Sequence, residues 1–251
     1  MKQLVAFDLD GTLAESKQAI DAEMGALLAR LTRAATVAVI SGGDWPQFES
    51  QLIGNLPADA DLSRLLAMPT SGTKLYRNDG AGWTQIYADI FSADERDTII
   101  SALDAAIVEA GLQDDPSWGD KIEDRGSQIT FSALGQQAPL DAKHAWDPDF
   151  AKRKRMQAIL EPVLPDFTVR TGGSTSLDIT RKGIDKAYGI RRLSEMTGIS
   201  TNGFIFMGDA IYPGGNDYAV RAAGVDSVAI RDVTETKRVI EGILYCLEAG
   251  A

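Results

Sequence analysis

Leu4-Val5-Ala6-Phe7-Asp8-Leu9-Asp10-Gly11-Thr12-Leu13 decides how the chain is read, because an apolar run stops at two carboxylates and a glycine. Four consecutive apolar residues suit a parallel strand buried on both faces. The acids then emerge at its C-terminal end, where open α/β sheets place their ligands. Asp8 and Asp10 are two residues apart, so a strand rise of roughly 3.3 Å per residue puts both side chains on one face with Cα atoms about 7 Å apart. Like charges that close suit a hard divalent cation. Taken alone, the stretch reads equally well as a strand end with solvated aspartates, and the rest of the chain decides.

Working outward, Ile20, Met24, Leu27, Leu28 and Leu31 recur at helical spacing, and Thr36 to Ile40 is a β-branched strand. It ends in Ser41-Gly42-Gly43-Asp44, with a helix expected from Trp45 or Pro46 to about Leu56. Strand, helix, strand and helix in that order imply parallel pairing, which brings Ser41 to the same sheet edge as Asp8. A hydroxyl, two glycines and a helix start can cradle a phosphate, although Ser-Gly-Gly alone is an ordinary turn. Short strands follow at Leu65 to Met68, Thr73 to Tyr76 and Trp83 to Tyr87, with Asn78-Asp79-Gly80 as a hairpin turn. Ser92 and Glu95 form a capping box for a helix carrying Ile99, Ile100, Leu103 and Ile107. Strands near Ile122 and from Gln128 to Ala133, a helix opened by Asp147-Pro148, and strands at Phe167 to Arg170 and Ser174 to Thr180 complete the middle of the chain. The α/β pattern then resumes with a helix from about Ile184 to Met196, the strand Phe204 to Met207, a short helix to Ala222, the strand Val225 to Ile230 and a closing helix. The expected fold is α/β, a Rossmann-like parallel-sheet core from residues 1–81 and 185–251 with an inserted α+β cap over 82–184.

At 251 residues and 44% hydrophobic, the chain can bury a full core. A formal net charge of −11 opposes binding to nucleic acid or to an anionic membrane, so an anionic substrate must meet a local positive site. The single cysteine, Cys246, allows no intramolecular disulfide and is expected in the core or at its boundary; the single histidine, His144, cannot build a metal site or a triad. With no leader-like segment and no apolar run near 18 residues, a cytoplasmic protein is expected. Lys152-Arg153-Lys154-Arg155 reads as a solvated helix face.

Three strands thus end in polar residues at one edge: Asp8 with Asp10, Ser41, and Asp209 with Asn216-Asp217 behind it, while Lys186 begins the helix leading into the third. Carboxylates for a divalent cation, a hydroxyl, glycines and one lysine compose a phosphate site containing a nucleophile. The arrangement resembles the haloacid dehalogenase superfamily of phosphotransferases, with Asp8 to Thr12, Ser41, Lys186 and the Asp209/Asp217 pair in the order of its four motifs. The resemblance implies that Asp8 attacks phosphorus, that Asp10 protonates the leaving oxygen and later deprotonates the acceptor, and that Ser41 and Lys186 bind phosphoryl oxygens. It also implies Mg²⁺ held by Asp8, the Asp10 backbone carbonyl and Asp209, with Asp217 supporting the metal shell or holding Lys186.

The insert between Ser41 and Lys186 resembles the type II, α/β-capped branch. Pro213-Gly214-Gly215-Asn216-Asp217, Ile122-Glu123-Asp124-Arg125 and Gly172 to Asp178 followed by Gly183-Ile184-Asp185-Lys186 look like the eukaryotic-type phosphomannomutase family. That resemblance makes Arg125 a ligand of the distal phosphate and Ser176 and Asp178 contacts of the sugar, and it suggests a homodimer through the caps. Lys17, Gly42 and Gly43 complete the candidate substrate contacts. Three departures stand out, because the mutase pattern has arginines where this chain has Lys17, Gln136 and either Trp118 or Lys121. Lysine keeps the charge without the bidentate fork and glutamine keeps neither, so a sugar bisphosphate would be held less firmly. The departures favour a Mg²⁺-dependent sugar-phosphate phosphatase. A phosphomannomutase or phosphoglucomutase is the alternative, and a non-catalytic sugar-phosphate-binding protein the third reading.

Overall fold

Val5 and Phe7 of β1 (Leu4–Phe7) belong to one apolar cluster and Leu4 and Ala6 to another, so the strand is covered on both faces, as its uninterrupted apolar run demands. The structure, a computed structural model, describes residues 2–248. After β1, α1 (Ala22–Ala34) is capped by Asp21, whose carboxylate accepts the Met24 N–H at 2.9 Å. β2 (Thr36–Ile40), α2 (Trp45–Gln51), β3 (Leu65–Met68), β4 (Lys74–Asn78) and β5 (Trp83–Ala88) complete the first segment. The middle segment holds α3 (Ala93–Glu109), β6 (Ile122–Asp124), β7 (Ile129–Ser132), α4 (Leu140–Trp146), α5 (Ala151–Val163), β8 (Phe167–Thr171) and β9 (Ser176–Arg181). α6 (Lys186–Thr197), β10 (Phe204–Gly208), α7 (Tyr218–Ala222), β11 (Asp226–Ala229) and α8 (Val233–Glu248) follow.

The first and last segments build one unit, running to Ala88 and resuming at Asp185. Its seven-stranded sheet has the order β11-β10-β1-β2-β3-β4-β5, parallel through β3 and antiparallel at β4 and β5. From β1 the chain proceeds to β2 and β3 on one side, while β10 and β11 lie on the other. β1 therefore stands at the point where the strand order reverses, which is where such sheets bind ligands. Met24, Leu28 and Leu31 of α1 and Ile240 and Leu244 of α8 cover one face of the sheet. Ile190 and Leu193 of α6 and Val220 of α7 cover the other. Each such side chain, fully buried, contributes about 1.5–3 kcal/mol. α6 approaches the 3₁₀ turn Thr70–Gly72 backbone to backbone, since a Cβ on Gly72 would lie 2.4 Å from the Gly189 Cα. Gly72 also has φ +85°, so a side chain there is excluded twice over.

The inserted unit, Asp89–Ile184, carries an antiparallel sheet of order β6-β7-β9-β8. Ile129, Phe131, Leu177 and Ile179 point into a core with Ile99 and Leu103 of α3 and Met156 and Leu160 of α5. Thr130, Ser132, Ser176 and Asp178 alternate with them on the opposite face, following the two-residue period of strands.

Several expectations are corrected. The strand Trp83–Ala88, placed in the inserted cap on sequence, pairs with β4 and forms the edge of the core sheet, because a tight hairpin keeps its second strand beside its first. α2 stops at Gln51 and a separate 3₁₀ turn covers Ile53–Asn55, where Gly54 weakens the helix. α4 was not foreseen. The helix expected to open at Asp147 starts at Ala151, after Phe150 takes a left-handed φ of 64°; Asp147 still caps it, accepting the Lys152 N–H at 2.9 Å. Arg153 leaves the expected solvated basic face and is buried in an ion pair with Asp147 at 2.7 Å. Cys246 is exposed rather than in the core. Among the described residues no helix is long and apolar enough to cross a membrane.

Arg181 ties the end of β9 to the start of the inserted unit. Its guanidinium donates to both Glu95 carboxylate oxygens, at 2.7 and 2.6 Å, and to the carbonyls of Asp89 and Ile90. Glu95 also closes the Ser92 capping box, and the Arg181 hydrogen bonds, with the Ser92 N–H, pull its carboxyl down to about 2. A depressed carboxyl stabilises the fold above its unfolded pKa of about 4.3, and that stabilisation is lost as pH falls from there toward 2. Arg181→Met is expected to lower the thermal midpoint by about 2–4 °C at pH 7, with the gap to wild type closing between pH 4.5 and pH 2 in thermal melts.

Candidate active site

Asp8 follows the last residue of β1, and its N–H donates to the Met207 carbonyl of β10 at 2.9 Å, which fixes the residue between the two strands. Lys186 is the first residue of α6, and Asp185 before it caps the helix by accepting the Tyr188 N–H at 2.8 Å. The helix start thereby aims the lysine at the sheet edge, where its ammonium donates to Asp8 at 2.5 Å and also to Asp217. Asp217, fully buried, accepts the Ala210 N–H with its other oxygen at 3.0 Å, so it both anchors Lys186 and closes the loop after β10. Gly208 admits Asp217, since a Cβ there would lie 2.3 Å from its Oδ2. Thr12 Oγ1 accepts the Asp209 N–H at 3.1 Å, linking the loops after β1 and β10.

The carboxylates of Asp8, Asp209 and Asp217 converge, with one oxygen from each lying within 4.8 Å of the others. Burial pushes the Asp8 carboxyl up to about 7; the Lys186 charge opposes the rise and the Asp217 charge adds to it. Burial and the Asp217 charge likewise raise Asp209. For Lys186 burial favours the neutral amine, but the charges of Asp8 and Asp217 outweigh it and hold the ammonium above its ordinary range. Three carboxylates facing one ammonium leave a deficit of two positive charges, which a divalent cation matches in charge and in its preference for oxygen donors.

Asp10 does not join this group, contrary to the expectation that its side chain converges with that of Asp8. The chain turns at Asp10 through a short bridge to Ala14, and the carboxylate faces α2 instead. Its Oδ1 accepts the Lys17 N–H at 2.7 Å and Gln51 Nε2 at 3.2 Å, and its Oδ2 accepts Gln47 Nε2 at 2.8 Å. Lys17, a candidate substrate contact on sequence, touches Asp10 through its backbone, held in a left-handed turn at φ 59°. Gln47 and Gln51 went unnoticed on sequence, although two amides four residues apart on the helix after Ser-Gly-Gly-Asp share one face and were a readable signal.

Ser41 follows the last residue of the neighbouring strand β2, is 2% exposed, and accepts the Gly43 N–H on its Oγ at 3.2 Å. The turn is fastened to the next loop by the Ser71 N–H on the Ser41 carbonyl and the Thr70 N–H on the Gly43 carbonyl. Asp44 behind Gly42 and Gly43 pairs with Lys74 at 2.6 Å, a contact no sequence pattern announced.

In the inserted unit, Asp178 accepts Thr130 Oγ1 at 2.7 Å, and Gln128 Nε2 donates to Thr130 at 3.1 Å. Burial raises the Asp178 carboxyl, against the pull of the Arg125 charge. Arg125 pairs with Glu123 at 2.7 Å. Ser176 lies across from Ser132, whose Oγ accepts Gln136 Nε2 at 3.0 Å.

The profile of the haloacid dehalogenase-like hydrolases matches residues 5–220. The phosphomannomutase of Dendrobium officinale is 28% identical over 222 residues, covering 86% of this chain and 84% of that protein. That of Encephalitozoon cuniculi is 24% identical, covering 99% of this chain and 96% of its own length. Among solved structures, IMP-bound IMP-nucleotidase of Plasmodium falciparum shares the fold at TM-score 0.69 and 14% identity, covering 97% of this chain and 68% of that one. A haloacid dehalogenase-like hydrolase of Bacteroides thetaiotaomicron does so at TM-score 0.65 and 16% identity, over 97% and 100% of the two chains.

The cofactor of this family is Mg²⁺, and the three-carboxylate group has the donors for it. At a Mg²⁺ concentration near 100 times the dissociation constant the folded state gains about 2.7 kcal/mol, so the thermal midpoint is expected to rise by about 5 °C or more. Asp209→Asn should remove most of that rise in a Mg²⁺ titration followed by melting. With the match spanning most of its length, the chain belongs to the haloacid dehalogenase-like hydrolases and is an enzyme of phosphoryl transfer.

Proposed function

We propose that the protein is a sugar-phosphate phosphatase that works through a phosphoaspartate on Asp8. The reading is carried by the group Asp8–Lys186–Asp217: a buried carboxylate at the strand end, with an ammonium held beside it by a second buried carboxylate.

Asp8 Oδ attacks phosphorus as the bond to the sugar oxygen breaks, and Asp10 gives its proton to that departing oxygen. Water then attacks the phosphoryl group, its proton goes to Asp10, and the bond to Asp8 breaks to release inorganic phosphate. Lys186 and the Ser41 hydroxyl bind phosphoryl oxygens, beside the backbone of Gly42 and Gly43. Asp217 keeps Lys186 in place. Bound at Asp8, Asp209 and Asp217, with the Asp10 carbonyl as the resemblance implies, Mg²⁺ would supply positive charge to the phosphoryl oxygens. Asp10, held by Lys17, Gln47 and Gln51, stands outside that carboxylate group and is left to carry protons.

Hydrolysis is favoured over mutation by three positions at which the mutase pattern has arginines. Lys121 Nζ is committed to the Leu112 and Asp115 carbonyls at 3.1 and 3.0 Å, Gln136 is a neutral amide donating to Ser132, and Lys17 presents its backbone to Asp10. A second phosphate would find no bidentate guanidinium at any of them. Arg125, Ser176 and Asp178 are the candidate substrate contacts within the inserted unit. The curated phosphomannomutases favour the second reading, interconversion of hexose 1- and 6-phosphates.

A phosphate-release screen over hexose 1- and 6-phosphates with Mg²⁺, run with and without glucose 1,6-bisphosphate, separates the two. Phosphate accumulating without the bisphosphate supports the phosphatase. Isomer formation that needs the bisphosphate, with little phosphate released, replaces it with the mutase.

A further inference from the structure

Asp10 is held both by its own loop and by α2, and one of those holds can be removed. Asp10 Oδ1 is pinned by a backbone N–H and by Gln51, which is itself 4% exposed and bonded to the Gln18 carbonyl. Asp10 Oδ2 is met from the other side by Gln47, at 2.8 Å, the shortest of its side-chain contacts. Gln47 reaches it by lying flat over Gly43, where a Cβ would come within 1.9 Å of Oε1 and 2.4 Å of Cδ. The missing side chain at Gly43 is therefore what lets Gln47 reach Asp10. Gly43 is not among the residues with positive φ, so its backbone conformation does not itself require glycine.

Resting on the reading of Asp10 as the group that protonates the leaving oxygen, we infer that Gln47 is a positioning residue: its amide sets the plane of the Asp10 carboxylate and aims Oδ2 at the departing oxygen. Gln51 and the Lys17 N–H hold Oδ1 alone, so Oδ2 can still move as the side chain swings about its Cα–Cβ bond and tilts around the held oxygen. Gln47 grips Oδ2 and stops that motion. The amide also serves both proton states, since its N–H donates to the ionised carboxylate and its carbonyl can accept the O–H of the protonated one.

A leaving group that departs readily as an anion needs no proton, whereas an alkoxide or unsubstituted phenoxide does, so the role shows in how rate depends on the leaving group. The probes are p-nitrophenyl phosphate and phenyl phosphate, which are similar in size, and mannose 6-phosphate. Gln47→Leu keeps the bulk and removes the amide. It is expected to lower kcat/KM for phenyl phosphate and mannose 6-phosphate about tenfold or more, while kcat/KM for p-nitrophenyl phosphate changes less than about threefold. Gln47→Asn, one methylene too short to reach Oδ2, should reproduce this pattern, and Gln47→Leu added to Asp10→Asn should cost little beyond Asp10→Asn alone, because Gln47 acts through Asp10. Equal losses on both aryl phosphates would mean that phosphate binding or folding was damaged, and would overturn the inference, as would additive losses in the double variant. If wild type turns over none of the three phosphates, or Asp8→Asn turns them over undiminished, the phosphoaspartate reading falls and this inference with it.

Discussion

Asp8→Asn is expected to cut phosphate release from every substrate by about 10⁴-fold or more, with the protein folded and its thermal midpoint unchanged or higher. The first half follows from chemistry, because the amide cannot become an acyl phosphate and neither Asp217 nor Asp209 is free to replace it. Asp217 is held at both oxygens, by Lys186 and by the Ala210 N–H, and Asp209 belongs to a different loop. The second half follows from electrostatics. Burial pushes the Asp8 carboxyl up to about 7, the signature of a charge kept out of water at a cost to stability. A neutral isostere relieves that cost, and Lys186 retains Asp217 as its counter-ion. Phosphate release beside a thermal melt checks both halves.

Lys186→Met is expected to act in the opposite way on stability and in the same way on turnover. It leaves Asp8 and Asp217 buried with no ammonium between them; breaking a buried ion pair from one side typically costs about 3–5 kcal/mol. For a chain of this size that corresponds to a fall of roughly 6–20 °C in thermal midpoint. Adding Asp217→Asn to Lys186→Met should return part of the lost stability, since one uncompensated charge is gone, and none of the activity. A melt of the double variant no higher than that of Lys186→Met would show that the ion pair is not what the site's stability rests on.

The parallel core was legible because its strands are buried on both faces and announce themselves as unbroken apolar runs ending in polar residues. Leu4 to Phe7 and Phe204 to Met207 could be read that way, and the glycines and acids after them marked the edge that carries the site. The capping box at Ser92 and Glu95 was equally local and equally readable. What failed were judgements about which neighbours a correctly read segment meets. Trp83 to Tyr87 reads as a strand from its aromatic and β-branched residues, but which sheet it extends follows from the hairpin turn that ties it to β4. Arg153 carries the same charge as its exposed neighbours, and nothing in composition announces the left-handed turn at Phe150 that folds Asp147 back onto it or the Gly173 carbonyl that it also meets. The side chain of Asp10 shares a strand period with Asp8 on paper, but the chain leaves the sheet at Asp8 and period-two reasoning ends there. Gln47 and Gln51 could be read as a pair on one helix face but not as partners of Asp10, because amides carry no charge and fit no metal or nucleophile pattern, so their meaning comes from the carboxylate they meet.

The most direct test of the account is where the phosphoryl group goes. Wild-type protein mixed with Mg²⁺ and a turned-over sugar phosphate, quenched in acid within one turnover and digested, should yield by mass spectrometry a single phosphorylated peptide, the one containing Asp8. The Asp8→Asn protein should yield none. A phosphoryl group on any other residue, or full turnover with no phosphorylated peptide at any quench time, would contradict it.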